Sequence, residues 1–94
     1  MTEIKNAKIE SSRIGNFDNR FWGANIHFDY ENSSQGISFK IEMIKELLNV
    51  LDLNFWESLP GTYCRIKIKQ SSIVEIGNIF EDKWIDMTKE EPIE

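Results

Sequence analysis

Hydrophobic positions along this chain keep two different periods, and the changes between them mark out its elements. Over residues 22–30 the alternation is strict: Trp22, Ala24, Ile26, Phe28 and Tyr30 fall on one side, Gly23, Asn25, His27 and Asp29 on the other. Period two is the mark of a strand with one buried face, so Trp22 is expected in the core. Upstream, residues 4–14 carry Ile4, Ile9 and Ile14 among polar neighbours and read as a first strand. Gly15-Asn16-Phe17-Asp18-Asn19 is dense in turn formers and predicts that these strands form a hairpin.

Residues 31–36 are polar and predict a loop. The period then changes. Ile41, Ile44, Leu48 and Leu51 share one helical face, with Met43, Leu47 and Val50 beside it and Ser38 as N-cap. Asn54-Phe55-Trp56-Glu57 has capping-box spacing and predicts one short helical turn before Pro60-Gly61. Residues 62–69 alternate again, Gln70-Ser71-Ser72 turns the chain, and residues 73–80 are the partner strand of a second hairpin. Gly77 inside that strand predicts a bulge or a close backbone approach. Trp84 and Ile85 are expected to fold back onto the core. The pattern predicts an α+β domain over residues 1–87: an antiparallel sheet of about four strands, packed by one main helix, in the order ββαββ. Residues 88–94 form an acidic tail expected to fray.

Composition changes this picture in three places. The chain has 94 residues, the size of one small domain. Its net charge of −5 is uneven: residues 1–80 hold nine basic and ten acidic groups, residues 81–94 two basic and six acidic. A nearly neutral body argues against general duplex DNA binding. The only cysteine is Cys64, so no disulfide within the chain and no cysteine-based zinc site is expected. The opening MTEIKNAKIE lacks a signal-peptide run, and residues 41–53 are too broken by charge to span a membrane. The expected location is the cytoplasm.

Catalytic chemistry has little to stand on. His27 and Asp29 project from the same polar strand face, the arrangement of an oriented general base and equally that of a solvated surface. Cys64 alternates with Ile66 and Ile68 and is expected to face the core. No phosphate loop, HExxH motif or nucleophile elbow is present, and no cofactor or metal is expected. The candidate binding feature is a row on one strand: Tyr63, Arg65, Lys67 and Lys69, spaced roughly 7 Å apart at two-residue steps. A ring among cations suits a nucleobase with its phosphates. The same row is also what protects a wet strand from edge-to-edge aggregation, with Glu75 available across the hairpin to neutralise part of it. Trp56 and Trp84 flank the second hairpin as end-caps of the core or as interface anchors.

The stretch LNFWESLPGTYCRIKIKQSSIVEIGNIFEDKWIDM resembles a family of small bacteriophage and prophage proteins. The resemblance rests on Trp56-Glu57, Leu59, Gly61, Arg65, Ile76-Gly77-Asn78 and Asp82-Lys83-Trp84. Relatives commonly follow the last Trp with Phe, where this chain has Ile85. The family has no established biochemical activity, so the resemblance supplies no catalytic residues. It implies a non-enzymatic accessory protein that antagonises a bacterial defence system by stoichiometric binding in the host cytoplasm. The partner is a host defence protein, as for an anti-CRISPR, or a small anionic nucleotide signal sequestered by the Tyr63 row. The protein partner is preferred, because a neutral body rich in rings suits a mixed interface. The alternative is a replication or packaging accessory binding single-stranded nucleic acid. The open edges of a small sheet also suggest a homodimer.

Overall fold

The computed structural model describes residues 2–17 and 21–88. Its strands are β1 (Thr2–Phe17), β2 (Phe21–Tyr30), β3 (Ser33–Lys40), β4 (Tyr63–Lys69), β5 (Ser72–Asn78) and β6 (Trp84–Asp86). A 3-10 turn (Ile41–Met43) leads into the helix α1 (Ile44–Val50), and a second 3-10 turn (Trp56–Ser58) precedes β4. The strands form one six-stranded sheet in the order β3-β2-β1-β4-β5-β6, antiparallel at every pairing.

This corrects the expected four-strand ββαββ arrangement. Both unexpected strands are sheet edges. β3 takes up the residues expected to be a polar loop and the helix start. An edge strand needs few apolar residues, and here only Phe39 is buried, with Ile37 partly so. Ser38 caps no helix; it lies in β3, where its Oγ accepts a hydrogen bond from Asn25 Nδ2 at 2.9 Å. β6 is three residues long, too short for a period to register. The capping box is not formed either: the 3-10 turn at Trp56 starts from an extended Phe55 with no side-chain cap.

β1 explains the shape of the sheet. Its first part, Thr2 to Lys8, pairs with β4 from Lys69 back to Tyr63, whereas β2 is paired from Lys8 onward. A register shift between Ile9 and Ser11 sets a bulge at Glu10. The β1–β2 hairpin therefore overhangs β4. Trp22 and Ile14 keep the core-side phase of the alternation but lie on the overhang, 60% and 41% exposed. Trp22 is thus not a core residue. Of the turn expected at residues 15–19, Gly15, Asn16 and Phe17 instead continue β1, in register with Gly23, Trp22 and Phe21, while residues 18 and 19, like 89–94 of the acidic tail, lie outside the described residues.

On one face of the sheet Ile9, Ile26, Phe28, Ile66, Ile76 and Ile85 are fully or almost fully buried, together with Leu47 of α1 and Leu59. Each such side chain contributes about 1.5–3 kcal/mol of burial, so this layer carries most of the fold's stability. The helix lies against β5 and β6 and ends in a Schellman arrangement: Leu53 N donates to Leu48 O (2.9 Å) and Asp52 N to Asn49 O (3.2 Å). Asp52 takes the left-handed position, φ 58°, where glycine is usual. Its carboxylate accepts hydrogen bonds from Asn78 Nδ2 and Lys83 Nζ. Among the described residues no helix is long and apolar enough to cross a membrane.

Candidate functional site

The β4 alternation predicted from sequence holds: Cys64, Ile66 and Ile68 are buried, and Tyr63, Arg65, Lys67 and Lys69 project from the opposite, helix-free face. That face is not a bare row of cations. Arg65, Gly77 and Trp84 are partners in register across β4, β5 and β6. Gly77 lets the Trp84 ring lie against the sheet; a Cβ there would stand 2.5 Å from Trp84 Cε3. This is the close approach expected at Gly77, and the β4–β5 bulge lies instead between Lys67 and Ile68. Arg65 Cζ is 4.7 Å and Lys67 Nζ 4.3 Å from the Trp84 ring centre. Arg65 also donates to Asn78 O and Glu81 O, both at 2.7 Å, and Lys67 pairs with Glu75 at 3.5 Å. These groups hold one another and the β5–β6 loop. Lys69 is exposed at the end of β4, opposite Ser72, and Trp56 lies apart from the row, packed against the core cluster.

A second part of the lock is Asn78, the one buried polar side chain among the described residues. Its Nδ2 donates to Val50 O (2.9 Å) and Asp52 Oδ2 (3.0 Å), while its Oδ1 accepts from Phe80 N (2.7 Å) and Glu81 N (3.0 Å). One amide thus ties the helix end to the loop. Lys83 adds an ion pair to Asp52 at 2.6 Å and another to Glu81 at 3.1 Å. The hydrogen bond to Lys83 holds the Asp52 carboxyl below the usual carboxylate range, and the same bond raises Lys83. Arg65, Gly77, Asn78, Lys83 and Trp84 are thus members of one lock.

The lock borders a surface that, Tyr63 apart, sequence reasoning missed. Beside it an open groove of about 610 Å³ is lined by Asn6, Leu51, Asp52, Thr62, Tyr63, Asn78, Ile79 and Phe80. Phe80 is 92% exposed although its backbone N–H is bonded within the loop. Tyr63, 61% exposed, lines the same groove, with Lys8 Nζ 5.7 Å from its ring centre. The available signal was a Phe between Asn78 and Glu81-Asp82, turn-forming composition that argues against extending the strand to residue 80.

The catalytic candidates are arranged differently. The β1 bulge brings Glu10 against Asp29, and a hydrogen bond between the two carboxyls, followed by their charge repulsion, raises Glu10 above its usual value. His27 lies over Gly36, where a Cβ would stand 2.9 Å from its Nε2. Among the described residues no group of three or more His, Cys, Asp or Glu side chains is placed to hold a metal. Cys64 is fully buried, and burial pushes its thiol up to about 12, so it is no nucleophile at neutral pH. No protein-family model, curated protein or solved structure shows significant similarity to the chain.

Proposed function

We propose that this chain is a non-enzymatic binding protein that acts by occupying a protein partner, with the groove between Tyr63 and Phe80 as its contact surface. The observation that carries the reading is Phe80: a large ring left almost wholly in water on a loop pinned through Asn78 and Arg65. An exposed ring that loses little freedom on docking is the usual kind of interface anchor. Taken with the resemblance to phage proteins, the partner is a component of a bacterial defence system, met in the host cytoplasm. Arg65 and Lys67 are engaged with Trp84, Asn78 and Glu75, which favours a protein partner over an anionic nucleotide.

The test is mass spectrometry of the protein purified from phage-infected cells, native and then denatured, for wild type and Phe80→Asp. A stoichiometric host protein that is retained by wild type and lost from a folded Phe80→Asp variant is the expected result. A released nucleotide, unaffected by Phe80→Asp, would replace this reading with sequestration of a signal.

A further inference from the structure

The charge of this chain is divided between the two faces of its sheet. Strand register places Lys8, Arg13, Lys40, Arg65, Lys67 and Lys69 on the helix-free face. The acidic side chains there, among the described residues, are Glu75, Asp86, Asp29 and the bulge residue Glu10 bonded to it. Six basic groups thus meet four acidic ones on one face of a chain whose net charge is −5. The acidic groups are also engaged. Glu75 pairs with Lys67, Glu10 with Asp29, and the Asp86 carboxylate accepts from the backbone N–H and hydroxyl of Thr88. Lys8, Arg13 and Lys69 are exposed, with no carboxylate at ion-pair distance among the described residues. Arg65 donates to two backbone carbonyls, which fix it without cancelling its charge.

We propose that single-stranded nucleic acid lies along β4 on this face, with a base stacked on Tyr63 and phosphates on Lys8, Arg65 and Lys69. Charge complementarity selects a polyanion. The Trp84 ring is taken up by Gly77, Arg65 and Lys67, whereas Tyr63 is largely exposed beside Lys8, its partner in register. That open ring selects nucleic acid over an acidic peptide. It also selects a single strand over a duplex, because only an unpaired base offers its flat side to a ring. The track from Tyr63 to Lys69 is about 20 Å long, room for about four nucleotides. A lone nucleotide meets only its first part, while a strand gains a contact with each phosphate it adds. Such binding uses the sheet face and not Phe80, so it stands or falls separately from the protein-partner reading.

Fluorescence anisotropy of a dye-labelled oligothymidylate, from low to physiological salt, tests the proposal. The expected result is binding at low salt, with a log–log slope against salt of about −2, as for three phosphate contacts. Lys8→Gln with Lys69→Gln should reduce that slope to about −0.7. Tyr63→Leu should weaken binding by about tenfold and leave the slope unchanged. Phe80→Ala should change neither. Circular dichroism confirms that each variant is folded. Absence of binding at low salt overturns the proposal. So does a slope that the folded double variant leaves unchanged, loss of binding in a folded Phe80→Ala variant, or equally tight binding of a duplex or of polyglutamate.

Discussion

Gly77→Ala is the sharpest probe of the lock on the helix-free face. The added methyl would stand 2.5, 2.6 and 2.7 Å from Trp84 Cε3, Cδ2 and Cζ3, inside any tolerable carbon–carbon distance. The indole cannot yield without leaving Lys67 and Arg65, now 4.3 and 4.7 Å from its centre. Overpacking of this kind costs about 1–3 kcal/mol. Losing the two cation contacts adds about 0.5–1 kcal/mol each at a half-exposed site. Against this, Ala is favoured over Gly within a strand by about 0.5–1 kcal/mol. The balance is a destabilisation of about 3 kcal/mol, which in a 94-residue domain lowers Tm by about 15 °C. Urea unfolding followed by circular dichroism measures it directly. In a Trp84→Ala background those three contacts are gone, and Gly77→Ala should become neutral or stabilising. Equal destabilisation in both backgrounds would refute the argument, because the cost would then not lie in the ring.

Other substitutions test the remaining parts. Asn78→Ala leaves Val50 O and two loop N–H groups without their side-chain partner and should cost about 2–4 kcal/mol in thermal unfolding. Ser71, at φ 67° beside Gln70 at φ 52°, closes the β4–β5 hairpin in a left-handed conformation; Ser71→Gly should stabilise by up to about 1 kcal/mol, read as a rise in the urea midpoint. The Asp52–Lys83 pair has a defined pH window. Asp52 is lowered, so its contribution is present above its unfolded value of 3.8 and lost as pH falls through the folded one; Lys83 is raised, so its share is present below 10.5 and lost as pH rises through its folded value. Lys83→Met should flatten stability against pH at both ends, measured by Tm in a buffer series. Glu10, raised by Asp29, is a burden at neutral pH that protonation relieves, so Glu10→Gln should raise Tm at pH 7 and lose that advantage in acid.

The pattern of residues determined a good deal of this protein. Alternation located β2 and β4 and assigned Cys64, Ile66 and Ile68 to the core, because a strand with one dry face must put apolar groups at every second position. The periodicity change located the helix, though α1 is shorter than the apolar run suggested. Edge strands escaped for the converse reason. β3 and β6 are the outer strands of the sheet, each paired with one neighbour among the described residues, so their composition is free to look like loop. Trp22 was misplaced because alternation reports phase and not cover: it shares the core-side phase with Ala24 but lies on the hairpin overhang, past the reach of β4.

Tertiary structure alone decided the roles of the polar groups. In sequence, Arg65 and Lys67 are members of a cationic row. In space, the turn at residues 79–83 returns Trp84 across Gly77 and gives both cations a ring and a partner. Asn78 and Asp52 are 26 residues apart, and only the packing of α1 against β5 makes them a hydrogen-bonded pair. Phe80, which reads as the end of a strand, becomes the most exposed large apolar side chain described. A one-dimensional pattern encodes which face of an element is dry. Which polar group meets which depends on the register and crossing of distant segments, and that is settled only when the chain is folded.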